Sequence, residues 1–212
     1  MNKPKIFIAC YTNKTKEVIN IISKTKTSKL NIGYKFGLEF FYSKGGREFI
    51  SKLKGKNIFL VGAGGAANGV IYDLIQSQPK QIFLTNRTFT KAIEMKKHWK
   101  LFAEKNQVIL EVMDLDFSNK LNFDLIINAT SSSLTSQDSP ISDSVFNYLN
   151  EKGTCYDMMY GSETPFMKEA YKKTDSVYDG LGMLVEQAAA SFNIWHQLNP
   201  TTESIQADLK KL

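Results

Sequence analysis

From residue 56 onward, the chain alternates short, mostly apolar runs with segments of helical periodicity. The strand-like runs cover residues 57–62, 81–86, 108–114, 123–130, 154–160 and 177–178. The helical segments cover residues 66–77, 88–105, 142–149, 165–171, 181–198 and 201–212. Strands that are apolar along their length and alternate with helices indicate a parallel sheet covered on both faces. The sequence therefore predicts an α/β fold with a doubly wound parallel sheet.

The N-terminal quarter lacks this regular alternation. A strand is predicted at 5–10, a helix at 13–26, extended structure at 30–43 and a short helix at 46–54. Such a segment is too short for an independent domain of ordinary size. We therefore expect three parts: a small, incomplete N-terminal α/β piece (1–55), the main domain (56–200) and a C-terminal helix (201–212).

Charge is unevenly distributed along the chain. Residues 1–56 carry twelve Lys and Arg47 against three Glu, a net charge of +10, and residues 57–212 carry a net charge of −4. A basic segment attracts anions, including nucleic acid. The N-terminal lysines form no patch interleaved with aromatic residues, which favours a solvated surface and no nucleic-acid partner. The alternative is a basic arm that binds nucleic acid.

Composition excludes several other classes of protein. An apolar fraction of 42% and a charged fraction of 23% are ordinary for a globular protein. No apolar run approaches the ~18 residues of a membrane span, and the first ten residues lack the features of a secretory signal. Cys10 and Cys155 lie far apart, as expected of reduced thiols in a cytoplasmic protein. His98 and His196 have no Cys, Asp or Glu at metal-ligand spacing, so no metal site is predicted.

A glycine-rich turn lies between the first strand of the main domain and the helix that follows it. Its predicted cofactor-binding residues are Gly62, Ala63, Gly64, Gly65 and Ala66. In this context Gly62 allows a tight turn and Gly64 allows the backbone to approach a pyrophosphate, which the helix N-terminus would then bind. The motif favours a Rossmann-like nucleotide site over a mere tight turn.

The end of the second strand indicates which dinucleotide would bind. NAD-binding proteins usually place Asp or Glu there to hold the ribose hydroxyls. This chain has no carboxylate there but a polar and basic segment: Asn86, Arg87, Thr88, Phe89, Thr90 and Lys91. Arg87 can pair with a 2′-phosphate, and Thr88 and Lys91 can add hydrogen bonds and charge, which favours NADP. The alternative is that Arg87 and Lys91 are simply exposed residues at a helix start.

Two further clusters follow later strands. Asn128 to Ser133 lie at the carboxyl end of the fourth strand, where Thr130 could line a nicotinamide pocket. The segments 157–160 and 179–187 place Tyr160 and Gln187 beside apolar residues, which suits a small hydroxylated ligand. Each segment also has a purely structural interpretation. Residues 128–133 could be a polar serine loop, residues 157–160 an ordinary strand end, and residues 179–187 part of a core helix in which Gln187 is hydrogen-bonded within the protein.

Together, and in this order, these residues resemble the shikimate dehydrogenase family. The segments that carry the resemblance are GAGGAA (62–67), NRTFTKA (86–92), FDLIINATSSSL (123–134), CYDMMYGSETPFM (155–167) and DGLGMLVEQAAASFNIWH (179–196). The resemblance implies an NADP-dependent oxidoreductase that reduces 3-dehydroshikimate with NADPH in aromatic amino acid biosynthesis. It also implies that Met158 and Gly180 lie at the nicotinamide and that Tyr160 and Gln187 contact a shikimate-like hydroxy acid, in a monomer or homodimer.

The N-terminal segment departs from the family. The Asn-Val-Thr-x-Pro-x-Lys segment that carries the family's catalytic lysine has no counterpart, and Tyr42-Ser43-Lys44 stands where the partner aspartate is usual. The catalytic residues are therefore unknown, and nothing favours Lys14 or Lys44 as a substitute. We expect a truncated substrate domain with impaired activity. The alternative is an inactive NADP-binding remnant that acts as a sensor or scaffold.

Overall fold

The computed structural model describes residues 6–10, 32–36, 53–114, 121–132 and 138–209. The chain divides into two compact units, a larger one of Phe49–Leu184 and a smaller one of Met1–Glu48 with Val185–Leu212. The helix predicted at 13–26 lies outside the described residues, as do Lys14 and Lys44.

All eight described strands pair in parallel. They are β1 (Ile6–Cys10), β2 (Ile32–Phe36), β3 (Asn57–Val61), β4 (Gln81–Thr85), β5 (Ile109–Val112), β6 (Phe123–Asn128), β7 (Leu149–Asp157) and β8 (Val177–Tyr178). β1 and β2 form a two-stranded sheet in the smaller unit. The other six form one sheet in the order β5-β4-β3-β6-β7-β8. The predicted α/β fold with a doubly wound parallel sheet is confirmed.

The described helices follow the predicted periodic segments closely. They are α1 (Gly65–Gln76), α2 (Phe89–Lys105), α3 (Pro165–Tyr171), α4 (Leu181–His196) and α5 (Thr202–Leu209). The predicted helix at 142–149 is a 3-10 helix, Asp143–Tyr148, and Ser142 caps it by accepting a hydrogen bond from the backbone N–H of Ser144. Among the described residues, no helix is both long enough and apolar enough to span a bilayer.

One strand differs from its predicted range. β7 begins at Leu149 rather than at residue 154, and it ends at Asp157. Leu149 pairs with Phe123, and the register shifts before Thr154 pairs with Leu125. The residues across this irregularity include Asn, Glu, Lys and Gly, so the early part of β7 carries no apolar pattern that a sequence analysis could detect.

The core lies on both faces of the six-stranded sheet. On one face, Phe123 stacks on Phe59 at a centroid distance of 4.8 Å and meets Phe83 edge-on at 5.5 Å. α1 also packs into the core with one apolar stripe at helical spacing: Ala67, Val70, Ile71, Leu74 and Ile75. Burial of this stripe explains why the segment is helical despite its N-terminal glycines.

The sheet has a topological switch point between β3 and β6. From β3 the chain adds strands outward through β4 to β5, and from β6 it adds them in the other direction through β7 to β8. In such a sheet the connections leave a crevice beyond the carboxyl ends of the two central strands, where ligands bind. The residues just after β3, β4, β6 and β7 are therefore the ones that can form a site.

Candidate functional site

The turn after β3 is held against the two neighbouring strands. Gly62 has φ +115°, a conformation that side chains disfavour, and its N–H donates to the carbonyl of Thr85 (N···O 2.8 Å). A Cβ on Gly62 would lie 2.9 Å from the carbonyl oxygen of Ala129. Ala129 in turn donates its N–H to the carbonyl of Val61 (N···O 2.8 Å). Glycine is therefore required at the point where the chain leaves β3.

The start of α1 is open and uncapped. Gly64 occupies the N-cap position with φ −89°, no side chain caps the helix, and its first turn contains no acidic residue. A Cβ built on Gly64 or Gly65 would meet no atom within 4 Å. The first N–H groups of a helix carry a partial positive charge and need acceptors. This end of α1 therefore offers free space and unpaired donors to a phosphate.

Asn86 joins the glycine-rich turn to the loop after β4. Its side-chain oxygen accepts from the N–H of Ala63 (N···O 3.2 Å), and its amide nitrogen donates to the carbonyl of Thr88 (N···O 2.9 Å). Thr88 occupies the N-cap position of α2 but makes no side-chain capping hydrogen bond. Asn86 thus holds the two loops together, and its amide retains one N–H and one lone pair beyond these two contacts.

The segment after β4, residues 86–91, has the features of a second anion-binding position. Arg87, Thr88, Thr90 and Lys91 are all exposed, and Phe89 is 42% exposed. α2 has no acidic residue in its first turn, so its start is as electropositive as that of α1. Cations at a helix N-terminus are unfavourable without an anion nearby, and a phosphate would supply one. The arrangement suits a second phosphate group beyond the pyrophosphate position.

A chain of hydrogen bonds organises the loop after β6. The side-chain oxygen of the fully buried Asn128 accepts from both the N–H (3.0 Å) and the hydroxyl (2.7 Å) of Thr130. The hydroxyls of Thr130 and Ser132 lie 2.9 Å apart and share a hydrogen bond. Thr130 is thus fixed at the carboxyl edge of the sheet, immediately beside the Gly62 turn.

The loop after β7 is held by a buried carboxylate. Asp157 is 0% exposed; one of its oxygens accepts from the Asn128 side chain and the Met159 N–H, and the other accepts from the Thr164 hydroxyl. Burial raises the pKa of Asp157, the three hydrogen bonds oppose that rise, and the nearby charge of Asp179 adds to it, so that the pKa lies above its ordinary value. Burial of a carboxylate is unfavourable unless it is hydrogen-bonded, and among the described residues these three donors satisfy it.

Gly180 packs against the same loop. A Cβ on Gly180 would lie 2.3 Å from the carbonyl oxygen of Met158. The N–H of Gly180 donates to the carbonyl of Met159 (N···O 2.8 Å). Met158 is buried, and its N–H donates to the carbonyl of Asn128 (N···O 2.9 Å). The start of α4 and the end of β7 are therefore in backbone contact, which only glycine permits at this position.

The structure places the residues chosen as cofactor ligands along the carboxyl edge of one sheet, all in the larger unit. They are Gly62, Ala63, Gly64, Gly65, Ala66, Asn86, Arg87, Thr88, Phe89, Thr90, Lys91, Thr130, Met158 and Gly180. Tyr160 lies in the loop after β7 with its side chain 46% exposed. Gln187 lies in α4 and belongs to the smaller unit.

The buried network is formed by Asn128, Asp157 and Thr164, none of which is among the predicted cofactor or substrate contacts. A signal was present: Asn128 and Asp157 are polar residues at the ends of otherwise apolar runs. Their pairing needs the register of β6 against β7, which only the structure provides. Among the described residues, no group of three or more His, Cys, Asp or Glu side chains could hold a metal ion.

Two family models match the chain. The model described as shikimate / quinate 5-dehydrogenase matches residues 45–140, and the one described as shikimate 5′-dehydrogenase C-terminal domain matches residues 180–207. These two ranges contain the glycine-rich turn, the basic segment after β4 and the beginning of α4.

Curated relatives agree with the family models. The shikimate dehydrogenase (NADP(+)) of Janthinobacterium sp. (strain Marseille) is 44% identical over 157 residues, 74% of this chain and 54% of that protein. The enzyme of the same name from Herminiimonas arsenicoxydans is 42% identical over 160 residues, 75% of this chain and 55% of that protein. The chain thus spans about half the length of the curated relatives it matches.

Solved structures share the fold. The shikimate dehydrogenase of Aquifex aeolicus superposes with a TM-score of 0.63 at 28% identity, over 84% of this chain and 62% of that one. A shikimate 5-dehydrogenase of Thermus thermophilus, solved with NADP(H) and shikimate, gives a TM-score of 0.64 at 24% identity over 84% of this chain and 63% of that one, a likeness of fold. With the glycine-rich turn at the switch point of the sheet, the family models and the curated relatives show that the chain belongs to the shikimate dehydrogenase family.

Proposed function

We propose that the chain binds NADP(H) along the carboxyl edge of its six-stranded sheet and acts as an oxidoreductase of the shikimate dehydrogenase type. The observation that carries the proposal is the uncapped start of α1 beside the Gly62 turn. That site combines unpaired N–H donors, open space at Gly64 and Gly65, and no acidic residue in the first turn of α1.

The residues present fit this cofactor. Gly62 to Ala66 would hold the pyrophosphate, and Arg87 with Lys91 would pair with the 2′-phosphate, because no carboxylate stands where an NAD-binding protein holds the ribose. Thr130, Met158 and Gly180 would surround the nicotinamide. When bound, NADPH supplies a hydride. The curated relatives are named as NADP(+) enzymes, which supports the choice.

The proposed substrate is a shikimate-like hydroxy acid, for which Tyr160 and Gln187 are the proposed contacts. Reduction of a ketone to a secondary alcohol also needs a group that gives the hydroxyl its proton, worth about 10²–10⁴ in rate. The sequence contains no counterpart of the lysine segment on which the family relies. We therefore expect NADP(H) binding with slow turnover, and a purely nucleotide-binding role is the second candidate.

Two measurements test the proposal. Calorimetry with NADP and NAD should show tighter binding of NADP. Absorbance of the reduced nicotinamide, followed with shikimate and NADP at alkaline pH, should show turnover well below that of a curated relative assayed in parallel. Equal affinity for the two cofactors would refute the cofactor assignment. Binding of NADP without any detectable turnover would favour the nucleotide-binding role over the enzyme.

A further inference from the structure

Asp157 connects three segments at the carboxyl edge of the sheet. It ends β7 directly opposite Asn128, the last residue of β6, and accepts a hydrogen bond from the Asn128 amide (N···O 3.0 Å). It also accepts from the N–H of Met159 (N···O 3.0 Å) in the loop that follows it and from the hydroxyl of Thr164 at the far end of that loop. Its carboxylate is fully buried.

Through these contacts Asp157 is linked to the loop after β6 and to the loop after β7. Because the Asn128 amide nitrogen donates to Asp157, the amide oxygen is oriented towards Thr130. That oxygen accepts hydrogen bonds from the N–H and from the hydroxyl of Thr130. Thr164 closes the loop that contains Met158 and Tyr160, and its hydroxyl oxygen also accepts from the N–H of Met167 at the start of α3. One carboxylate is therefore hydrogen-bonded, directly or through Asn128, to the loop after β6 and to both ends of the loop after β7.

These two loops lie on one side of the switch point, and the basic segment lies on the other. A dinucleotide binds across the switch point, with one mononucleotide half on each side. With its 2′-phosphate at Arg87, after β4, NADP would have its nicotinamide half at the loops that follow β6 and β7. This step rests on the proposed function.

We propose that Asp157 is a positioning residue for the nicotinamide half of the cofactor, acting through Asn128, Met159 and Thr164. The carboxylate itself is enclosed by protein donors and does not contact the ligand. Its effect is to hold Thr130 and Met158 where the nicotinamide half would bind. Loss of the carboxylate should therefore weaken contacts to that half and leave the adenosine half intact.

Asp157→Asn is the variant that tests this, because it preserves size and shape. An amide has one oxygen and one NH₂ group, whereas all three neighbours of Asp157 act as donors towards it. If the NH₂ group faces the Asn128 amide and the Met159 N–H, both of these donors lose their acceptor; if it faces Thr164, whose hydroxyl can accept from it, a neutral hydrogen bond replaces one to a charged carboxylate. The loop is then loosened without creating a cavity.

The measurement compares the complete cofactor with a fragment that carries only its adenosine half. NADPH binding is followed by its emission, and adenosine 2′,5′-bisphosphate binding by calorimetry. The affinity of Asp157→Asn for NADPH should fall about tenfold, as for one lost hydrogen bond to a charged group. Its affinity for the bisphosphate should stay within about twofold of that of the unsubstituted protein, because the adenosine contacts lie across the switch point.

Asp124→Asn is the matched control. Asp124 lies on β6, the strand next to the one that Asp157 ends, and it also accepts three hydrogen bonds, from the N–H of Asn57, the Asn150 amide and the Lys56 ammonium, but it lies at the opposite, amino edge of the sheet. A merely structural effect on the sheet should appear in both variants. We expect Asp124→Asn to leave the ratio of the two affinities unchanged.

A second pair of variants tests the same link if Asp157→Asn does not fold. Thr164→Val removes the hydroxyl that donates to Asp157 and should lower NADPH affinity selectively, whereas Thr164→Ser keeps it and should bind as the unsubstituted protein does. Failure of the unsubstituted protein to bind either compound would overturn the proposed function and this inference with it. A different outcome would overturn this inference alone. In that outcome the unsubstituted protein binds both compounds, but Asp157→Asn and Thr164→Val change the affinities for NADPH and for the bisphosphate equally, or change neither.

Discussion

Gly62 and Ala129 pack backbone against backbone at the switch point of the sheet. The position of a Cβ on Gly62 lies 2.9 Å from the carbonyl oxygen of Ala129 and 3.0 Å from its carbonyl carbon, with φ at +115°. Both residues are tied to the sheet through their backbone N–H groups, that of Gly62 to the carbonyl of Thr85 and that of Ala129 to the carbonyl of Val61, so a shift of either backbone would break a hydrogen bond. The turn that presents α1 therefore depends on the absence of one methyl group.

The first prediction follows from that contact. Gly62→Ala should lower the free energy of unfolding by at least about 1–3 kcal/mol, since it combines a disfavoured backbone conformation with a steric clash. It should also abolish NADP(H) binding, because the turn must shift to relieve the clash. Urea unfolding and calorimetric titration measure the two effects.

Gly64→Ala is the control for Gly62→Ala. Gly64 has φ −89°, and an added Cβ would meet no atom within 4 Å. Its stability should change by less than about 1 kcal/mol, because alanine restricts the unfolded chain but is less favourable than glycine at a helix N-cap. NADP affinity should nevertheless fall, since the methyl would occupy the space where a phosphate approaches the backbone. Equal destabilisation by the two substitutions would contradict this account of the turn.

The fold could be predicted from local patterns. Each strand of the six-stranded sheet coincides with an apolar run of the sequence, and each described α-helix coincides with a segment of helical periodicity. The glycine-rich turn and the Arg87 segment could be located for the same reason: their signals lie within a few consecutive residues. Only β7 departs noticeably, because its first residues pair through a register shift that leaves no apolar alternation.

The buried network could not be predicted in the same way. Asp157 and Asn128 are separated by 29 positions in sequence, and their contact depends on which strands are neighbours and in which register. Asn86 illustrates the same difficulty on a smaller scale. Its position after β4 predicts a ligand contact but not the hydrogen bonds of its amide with Ala63 and Thr88. Long-range polar contacts of this kind carry no local sequence pattern.

The second prediction concerns cofactor choice. Arg87→Ala should lower affinity for NADP at least about tenfold, the effect of removing one charge-assisted hydrogen bond, and should leave affinity for NAD unchanged. The control is Lys100→Ala, which removes an exposed cation of α2 that pairs with Glu104 at 3.8 Å. It should change neither affinity. A parallel loss of NAD binding in Arg87→Ala would show that Arg87 supports the fold of the loop rather than the 2′-phosphate.

The third prediction concerns Cys155 on β7, which pairs with β6 on one side and with the edge strand β8 on the other. Burial raises the pKa of its thiol to about 12, and its side chain is fully inaccessible. Since the thiolate is the reactive form, iodoacetamide at pH 8 should leave Cys155 unmodified in the folded protein and alkylate it rapidly in urea. Peptide mapping by mass spectrometry distinguishes it from Cys10. Labelling of Cys155 under native conditions, at a rate independent of added denaturant, would contradict the buried position.

The fourth prediction compares the two hydrogen-bonded carboxylates at opposite edges of the sheet. Burial alone would raise the pKa of Asp124, but hydrogen bonds from Asn57, Asn150 and Lys56, together with the charge of Lys56, lower it below 3.8. A lowered pKa stabilises the folded state above pH 3.8, and that contribution is lost as the pH falls through the folded-state pKa. The stability advantage of the unsubstituted protein over Asp124→Asn should therefore shrink on acidification.

The contribution of Asp157 to folding stability should change with pH in the opposite direction. Its pKa is raised, chiefly by burial, so the folded state binds a proton more readily than the unfolded state does. Its ionisation then opposes folding above the folded-state pKa, and this penalty disappears as the pH falls through that pKa towards 3.8. Relative to Asp157→Asn, the unsubstituted protein should thus gain stability on acidification, while relative to Asp124→Asn it loses stability. Urea unfolding of the three proteins from pH 7 down to pH 3 measures how each stability difference from the unsubstituted protein changes with pH. If the two differences changed in the same direction, the opposite pKa shifts of Asp124 and Asp157 would be contradicted.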